Sequence, residues 1–389
     1  MRTFLVPVLG LALVGLLTYW LHRRLVVATG LRGAWARAVD VILGVGALLG
    51  VTAFAVGGAL DPAWARVIGF VGFTWWAALF YLILGVLLIG LVSLLLRGVA
   101  KVRDVAPAVS LDRRRRWVAG SSAALVVVVA VIVGYGLFEA SRPRIKNETV
   151  AVTGLPVQFE GTRIALITDL HVGPARGESF VRGVVEKVAA EKPDLILFGG
   201  DLADGTITHV GEDLAPLKDL RAPLGIYGVS GNHEYYADDG GSWLDYWETL
   251  GIRALRNETV PITRDGATID LAGIYDKTAP EPWEPDADKA LAGHDDARVL
   301  IYAAHQPSQA EDVEGRGVDL QVSGHTHDGQ LWPFTYAVRL ANPVHAGFGT
   351  VGDVPVYVSR GTGAWGPPVR VMAPPEITIL TLTEAADEE

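Results

Sequence analysis

The chain has 389 residues, half of them hydrophobic, and a mean hydropathy of +0.32, which exclude a disordered or fibrous protein and leave room for two domains. It contains no cysteine, so disulfides, thiolate zinc sites, iron–sulfur clusters and cysteine nucleophiles are excluded, and any metal must be bound by His, Asp, Glu or Asn. Residues 1–146 carry 16 of the 33 Lys and Arg but five of the 43 Asp and Glu, which leaves +11 there and −21 on the remainder. Because nucleic acid is bound by basic surfaces, no nucleic-acid partner is expected for the acidic part.

The first 140 residues are predicted to form a transmembrane region. Four apolar stretches each reach the roughly 20 residues that a helix needs to cross a bilayer. These stretches lie near 3–21, 38–60, 67–96 and 117–138. The first stretch also has the length of a signal peptide, but His22, Arg23 and Arg24 follow it where a cleavage site would have small residues. The sequence therefore predicts four retained helices and an integral, multi-pass membrane protein.

Basic residues gather in two of the loops between these helices and predict the orientation. One loop contains Arg23, Arg24, Arg32 and Arg37, and the other contains Arg97, Lys101, Arg103 and Arg113 to Arg116. Loops rich in Lys and Arg stay in the cytoplasm. The turn at 61–66 carries one acid and one base. Both termini, and with them the domain after the fourth helix, are therefore predicted to lie on the extracytoplasmic side.

Beyond the Arg142-Pro143-Arg144 hinge, short apolar runs alternate with helical patterns, which is typical of an α/β domain. We place this domain at 146–389. The runs predicted as strands are 164–168, 195–198, 226–229, 269–274, 299–303, 320–322, 356–358 and 377–382. Helices are predicted near 178–191, 208–220, 242–250 and 307–314.

Side chains able to bind a metal follow five of the predicted strands. They are Asp169 and His171, then Asp201, then Asn232, His233 and Glu234, then His305, and finally His325 and His327. Because the carboxyl ends of strands in an α/β sheet share one edge, these side chains are expected to converge. His209 and His345 lack such a context, and we interpret them as structural histidines, with a place in the pocket wall as the alternative.

This series of five motifs resembles that of the calcineurin-like metallophosphoesterases. The motifs are Asp-x-His at 169–171, Gly-Gly-Asp at 199–201, Gly-Asn-His-Glu at 231–234, His305, and Gly-His-x-His at 324–327. The resemblance covers about 163–330, and the ending at 361–377 is similar to the membrane-anchored bacterial branch that includes YkuE-like phosphoesterases. It implies an α/β sandwich of two mixed β-sheets flanked by helices, preceded here by the four-helix transmembrane region.

The resemblance also implies a centre of two divalent metal ions. One ion would be held by Asp169, His171 and His327, the other by Asn232, His305 and His325, with Asp201 bridging them. Mixed imidazole, carboxylate and amide ligation favours Mn, Fe, Zn or Co.

The implied reaction is attack on phosphorus by a hydroxide that bridges the two metals. His233 would hydrogen-bond the phosphate or protonate the leaving oxygen, and Glu234, where Asp is the commoner residue, would orient it. Arg370 is a candidate contact for a phosphate or headgroup, with an ordinary surface arginine as the alternative. Trp365 is a candidate contact for a lipid or sugar, with core packing as the alternative.

The sequence thus predicts a membrane-anchored phosphoesterase that acts on a phosphodiester or pyrophosphate, because lipid-linked phosphates and membrane lipids lie within reach of a tethered domain. Nucleotide phosphodiesterase and phosphomonoesterase activities are alternatives, as are a catalytically silent sensing module and an accessory domain of a transporter. All seven ligand positions and His233 are filled, which favours an enzyme. The apolar stretches contain almost no ionisable residue apart from Asp40 at an edge, which argues against transport. The substrate, the metals and the oligomeric state stay open.

Overall fold

The computed structural model describes the backbone of residues 2–385 and the side chains of residues 8–385. The chain forms two compact units. The first contains Met1–Ala55 and Val67–Gly136, and the second contains Val56–Arg66 and Leu137–Glu389. The short segment 56–66 therefore belongs with the unit that contains the predicted metal ligands, although it lies between two of the predicted membrane spans.

The first unit is built from long apolar helices. They are α1 (Arg2–His22), α2 (Gly33–Ala53), α3 (Pro62–Val102) and α4 (Pro107–Ala140), with a π-helical turn at Arg23–Val27 after α1. Among the residues with described side chains, three helices are long and apolar enough to cross a membrane, namely α2, α3 and α4. The predicted span at 3–21 coincides with α1 but lies partly outside those residues, so the structure supports three spans, and the fourth stays a prediction.

The second predicted span is shorter than expected. The stretch near 38–60 was expected to be one helix, but α2 ends at Ala53, and a short bridge joins Val56 to Leu60. Gly57 has a left-handed backbone, with φ of 91°, which a helix does not accommodate. The next helix starts at Pro62, because Asp61 accepts a hydrogen bond from the backbone N–H of Ala63 at 2.8 Å, and proline suits the first helical position.

The second unit contains two six-stranded mixed sheets. The strands are β1 (Arg144–Val152), β2 (Arg163–Ile167), β3 (Leu195–Phe198), β4 (Ile226–Gly228), β5 (Arg253–Ala254), β6 (Glu258–Arg264), β7 (Ala267–Gly273), β8 (Leu300–Ala303), β9 (Leu320–Ser323), β10 (Gly347–Val351), β11 (Val354–Val358) and β12 (Glu376–Glu384). One sheet has the order β1-β12-β2-β3-β4-β5 and the other β10-β11-β9-β8-β7-β6. The helices are α5 (Glu178–Glu191), α6 (Ile207–Val210), α7 (Gly240–Thr249), α8 (Ala287–Leu291) and α9 (Thr335–Ala341).

The two sheets enclose the main core, which is why their strands read as continuous apolar runs. Leu166, Leu197 and Leu380 of one sheet and Leu271 and Ile301 of the other belong to a single buried cluster. A second cluster packs α5 and α7 on the outer face of the first sheet, and a third covers the outer face of the second sheet. The expected sandwich of two mixed sheets flanked by helices is confirmed.

Strand direction determines which edge of the sandwich carries the ligands. In the first sheet β2, β3 and β4 run parallel, so their carboxyl ends lie together. In the second sheet β8 and β9 do the same. Strand β12 is antiparallel to β2 and parallel to β1, so β1 starts at the edge where β2 ends. The polypeptide therefore enters the second unit from α4 at the edge of the sheet where the predicted ligands lie.

Candidate metal centre

Each predicted ligand lies in the loop directly after a strand of the sandwich. Asp169 and His171 follow β2, Asp201 follows β3, Asn232 follows β4, His305 follows β8, and His325 and His327 follow β9. Side chains separated by as much as 158 positions are thereby brought to one place. This convergence is what the shared strand edge predicts.

The backbone at this edge is locally strained. Asp169, His171, Asp201, His325 and His327 all have positive φ values, between 47° and 70°. A non-glycine residue in this left-handed region costs of order 1–3 kcal/mol, and such residues cluster at functional sites where the surroundings enforce them. The hydrogen bonds between neighbouring loops enforce the strained turns here, for example from the N–H of Asp169 to the carbonyl oxygen of Gly200 at 2.9 Å.

One set of convergent atoms surrounds Asp169. Its Oδ1 lies 3.4 Å from Nε2 of His327 and 4.0 Å from Nε2 of His171, and the two Nε2 atoms are 3.0 Å apart. Oδ2 of Asp201 lies 3.7 Å from the His171 Nε2. All four side chains are buried. These atoms could hold one metal ion.

A second set of atoms lies on the other side of Asp201. Its Oδ2 is 3.2 Å from Nε2 of His305, and that nitrogen is 3.3 Å from Nδ1 of His325. The same carboxylate oxygen therefore faces both groups of candidate ligands. Asn232 directly precedes His233, whose backbone N–H donates to Asp201 at 2.9 Å, and the Oδ1 of Asn232 is buried without a hydrogen-bond partner in the structure. A buried carbonyl oxygen without a donor is costly, and either a bound water or a cation would satisfy it.

The hydrogen bonds of His171 and His305 orient these two rings for metal binding. Nδ1 of His305 donates to the carbonyl oxygen of Gly199 at 2.7 Å, and Nδ1 of His171 donates to Oδ1 of Asp204 at 2.8 Å. Since these acceptors have no proton to give, each Nδ1 carries a hydrogen, and Nε2 is the nitrogen that faces the centre and could bind a metal ion. This is the arrangement by which outer groups fix a metal-binding imidazole.

Asp204 is a functional residue that sequence reasoning missed. Its Oδ1 lies 2.7 Å from Nδ1 of His233 as well as 2.8 Å from Nδ1 of His171, so one carboxylate oxygen orients both rings. The available signal was a second aspartate three residues after Asp201. Both positions follow β3, but spacing alone does not show that the later one turns back toward the histidines.

Glu234 does not occupy the orienting position expected of it. Its carboxylate is buried and accepts hydrogen bonds from the backbone N–H groups of Gly231, Asp201 and Leu202 at 2.7, 3.1 and 2.9 Å. It thereby fixes the loop after β4 to the loop after β3. The carboxylate that contacts the His233 ring is that of Asp204.

The local charges favour a protonated His233. Burial opposes the charge on its ring, but the carboxylates of Asp201 and Asp204 raise the pKa of His233 to about 9. Conversely, the nearby imidazoles of His305 and His233 hold the pKa of Asp201 well below its usual range despite burial. A cationic imidazole beside an ionised carboxylate is suited to bind an anion or to donate a proton.

Arg370 and Trp365 differ in their suitability as substrate contacts. Arg370 is fully buried, and its guanidinium donates to Nδ1 of His327 at 2.9 Å and to the carbonyl oxygens of Gly363 and His327. It therefore lies behind a candidate ligand instead of at the surface where a substrate would reach it. Burial also lowers the pKa of Arg370 to about 9. Trp365 is 54% exposed, and its ring centre lies 6.4 Å from that of His233, so it stands at the entrance.

His345 lies near the candidate ligands, whereas His209 contacts the segment 56–66. Nε2 of His345 accepts from Arg339 at 3.0 Å and lies 3.7 Å from Asp328. Nδ1 of His209 donates to the carbonyl oxygen of Gly58 at 2.9 Å. Both contacts are consistent with the structural interpretation of these histidines.

The segment 56–66 packs against the loop that carries Asp204. The carbonyl oxygen of Gly57 accepts from the N–H of Thr206 at 3.0 Å, and Arg66 donates to the carbonyl oxygen of Gly173 at 3.4 Å and forms an ion pair with Asp213. A Cβ atom on Gly57 would collide with the carbonyl oxygen of Asp204. The chain between α2 and α3 is therefore part of the wall that supports the centre.

Comparison with known proteins identifies the same region. The family model for calcineurin-like phosphoesterases matches residues 162–329. An uncharacterized metallophosphoesterase of Helicobacter pylori is 39% identical over 64% of this chain and 68% of its own length. A transmembrane protein with a metallophosphoesterase domain from Danio rerio is 35% identical over 67% of this chain and 62% of its own length. The metallophosphoesterase YkuE of Bacillus subtilis is 30% identical over 69% of this chain and 97% of its own length.

The matched residues include all five motifs, and relatives described as transmembrane proteins agree with the apolar helices that precede them. The chain therefore belongs to the calcineurin-like metallophosphoesterase family, whose members are metal-dependent phosphoric ester hydrolases.

Proposed function

We propose that this protein is a membrane-anchored phosphoesterase that uses two divalent metal ions to hydrolyse a phosphodiester or pyrophosphate of a lipid or envelope precursor. The observation that carries the proposal is the position of Asp201. Its Oδ2 lies 3.7 Å from Nε2 of His171, which belongs to one ligand group, and 3.2 Å from Nε2 of His305, which belongs to the other. Two separate sets of donors that share a carboxylate fit two cations better than one.

The ligand assignment follows from which atoms converge. Asp169, His171 and His327 converge and would hold one ion, and His305 and His325 converge with Asp201 and would hold the other. Asn232 is added to the second ion because the family resemblance implies it, and Asp201 would lie between the two ions. When bound, paired metals of this kind lower the pKa of water and clamp phosphate oxygens. The donor set favours Mn, Fe, Zn or Co.

The chain's own residues would supply the acid. Asp204 holds His233 by Nδ1, so Nε2 is the nitrogen that remains for the substrate. A protonated Nε2 would donate to a phosphate oxygen on binding and then to the leaving oxygen as the ester bond breaks. Tyr236 packs against the same ring, with 4.7 Å between the ring centres, and limits its rotation.

The substrate class is inferred from where the centre lies in the unit. The segment 56–66 supports the Asp204 loop, and β1, which follows α4, begins at the same edge as the ligands. A centre so close in the chain to two apolar helices would have phosphorylated lipids among its nearest substrates. We place the catalytic unit on the extracytoplasmic side and expect membrane lipids as its surroundings.

A substrate panel tests the proposal. The full chain, purified in detergent and loaded with Mn, would be assayed on bis-p-nitrophenyl phosphate, p-nitrophenyl phosphate, cyclic AMP and lipid pyrophosphates. We expect the diester and a lipid pyrophosphate to be hydrolysed. Preference for cyclic AMP or for the monoester would establish one of the alternative activities, and hydrolysis of none would indicate a silent module.

Asp201→Asn provides the matched control for this assay. The substitution keeps the shape of the side chain but removes the charge that would hold two cations near each other, so turnover should be abolished and metal content reduced. Metal analysis by plasma mass spectrometry would measure the second effect. Two ions per chain with near-normal activity in this variant would contradict the dinuclear proposal.

A further inference from the structure

We propose that the entrance of the metal centre is surrounded by a membrane-contacting surface, the apolar rim, which consists of Trp332, Phe334, Tyr336, Leu340, Trp365 and Met372. The rim would lie in the lipid headgroup layer and receive the apolar part of a lipid-linked substrate. The role of the rim in receiving a substrate rests on the function proposed above, whereas contact between the rim and lipid can be tested without any turnover.

The first observation is where large apolar side chains are exposed. Within residues 144–384, those outside the rim are Val157, Tyr236 and Phe348. Leu340 is 91% exposed and Met372 is 70% exposed, values that a soluble surface seldom shows for several neighbours at once. Six of the nine large apolar side chains that are exposed within residues 144–384 therefore belong to the rim.

The second observation is that this region borders the centre. The chain from Gln330 to Leu340 closely follows His327. The carbonyl oxygen of His345 accepts from Thr326 at 2.5 Å, so the segment 328–345 starts and ends beside the ligands. The N–H of Trp332 donates to the carbonyl oxygen of Val371 at 3.1 Å, which places Met372 next to it.

Trp365 joins the same region through Gln330. The N–H of Trp365 donates to the Gln330 side chain at 3.0 Å, and that side chain donates to the Trp365 carbonyl oxygen at 3.0 Å. The rim therefore extends from the segment after His327 to Trp365, whose ring lies near that of His233.

The third observation is the charge pattern. Between Gly329 and Pro375, Asp353 is the only acidic residue, in a part of the chain that carries −21 overall. The exposed Arg339 lies above the ring of Tyr336 at 5.9 Å. A surface of tryptophan, tyrosine and aliphatic side chains with a cation and almost no carboxylates is what the interface of an anionic bilayer accommodates.

The fourth observation is the length of the connection to α4. That helix ends at Ala140, and β1 begins at Arg144, so the connection spans at most about 14 Å. The N–H of Arg144 donates to the carbonyl oxygen of Pro375, three residues after Met372. The chain that follows α4 thus enters the second unit beside the apolar rim. This position favours a lipid surface over a soluble partner as the structure that covers the rim.

Because the chain has no cysteine, single cysteines can report on this contact without background. The full chain would be reconstituted in phosphatidylcholine and phosphatidylglycerol vesicles after Leu340→Cys or Met372→Cys and labelling with bimane. Val157→Cys is the matched control, because Val157 is 79% exposed and lies between the end of β1 and the start of β2, at the opposite edge. Brominated lipid and aqueous iodide would serve as quenchers.

We expect bimane at 340 and 372 to be quenched by brominated lipid and protected from iodide, and bimane at 157 to show the reverse. Equal iodide quenching at all three positions, with no quenching by brominated lipid, would overturn the proposal. Protection from both quenchers would also overturn it, since the occupant would then be protein, such as a second copy of the chain.

A second pair of variants connects the rim with the reaction. Leu340→Asp should lower turnover of a lipid pyrophosphate in vesicles by roughly tenfold more than it lowers turnover of bis-p-nitrophenyl phosphate in detergent, the factor expected when one large apolar side chain no longer enters lipid. Val157→Asp should change neither. If no lipid phosphate is hydrolysed at all, the proposed substrate fails while the quenching result stands. If lipid is hydrolysed equally by both variants, the role of the rim in substrate entry fails.

Discussion

At the residue scale, a single carboxylate couples the candidate metal centre to the candidate acid. Asp204 accepts from the Nδ1 atoms of His171 and His233, so the ring that would bind metal and the ring that would meet the leaving group share one support. The imidazoles of His171 and His233 in turn hold the pKa of Asp204 below its usual range although it is buried. The carboxylate therefore stays ionised and keeps accepting both bonds.

Replacing His233 by Ala should separate catalysis from metal binding. The seven proposed ligands remain, so both metals should be retained, while hydrolysis slows by roughly 10² to 10⁴, the usual range for a lost general acid. Rates for nitrophenyl and alkyl esters would be compared, because a good leaving group needs less protonation. Equal losses for both esters would show that His233 stabilises the phosphate oxygens instead.

Asp204→Asn should affect both functions. The variant keeps the shape but loses the charge that orients the two rings, and loss of such an outer partner typically costs about 10- to 100-fold in metal affinity or activity. Metal titration followed by plasma mass spectrometry and the rate at saturating metal would measure the two effects. Asp238→Asn is the control, because Asp238 accepts from the N–H of Ile207 and contacts neither ring in the described structure. Unchanged metal affinity and rate would remove Asp204 from the centre.

The sequence predicted where most site residues lie because their positions follow from strand ends. It did not predict what each side chain would contact, since that depends on loop conformation. Glu234 is expected beside the ring of His233 but accepts from four backbone N–H groups, and Arg370 is expected near substrate but is buried behind His327. Long side chains with several hydrogen-bonding atoms have many possible partners, and only the folded loops select among them.

At the element scale, the segment 56–66 supports the loop of Asp204 from outside the sandwich. Its contacts with Thr206, Gly173 and Asp213 join the loop after β3 and the loop after His171 to the start of α3. Burial raises the pKa of Asp213, and the guanidinium of Arg66 opposes that rise. The chain between two apolar helices thus contributes to the geometry of the centre.

Gly57→Ala should weaken the centre without touching a ligand. Its Cβ would collide with the carbonyl oxygen of Asp204 and displace that residue, so metal affinity and turnover should both fall. Gly154→Ala is the matched control, because Gly154 also has positive φ but open space around a Cβ. Both variants should lose roughly 1–2 kcal/mol of stability from the left-handed backbone. Thermal unfolding, metal titration and turnover would be compared, and equal activity in the two variants would contradict a supporting role for the segment.

Eight of the twelve strands in the described structure could be predicted from apolar runs, whereas β1, β5, β6 and β10 could not. Strand β1 was missed because Arg144, Lys146 and Glu148 interrupt its pattern; it is an edge strand that pairs with β12 alone. The helix predicted near 208–220 is a four-residue helix followed by a 3₁₀ segment, because Pro216 lacks the N–H that a continuous helix requires.

At the scale of the whole molecule, the order of the helices constrains the side on which the catalytic unit lies. The segment 56–66 and residues 137–389 form one compact unit, so we expect them to share a side of the membrane. Helices α3 and α4 separate these two parts of the chain, and two crossings return the chain to the side from which it started. The parity therefore agrees with α3 and α4 both spanning the bilayer, whether or not α1 also crosses it.

The last prediction is that this shared side is extracytoplasmic. The end of α3, the connection to α4 and the start of α4 carry Lys101, Arg103 and the run Arg113 to Arg116, whereas Arg66 is the only basic residue of the segment 56–66. Basic residues that flank membrane spans stay on the cytoplasmic side. Arg142, Arg144 and Lys146 follow α4 and oppose this bias locally. A fluorescent protein that matures only in the cytoplasm, fused after Glu389, should stay dark, while an exported phosphatase at the same point should be active. The same reporters inserted after Asp104 should give the reverse pattern, which controls for expression. A bright fusion after Glu389 would place the unit inside the cell and would exclude lipids of the outer leaflet as its substrates.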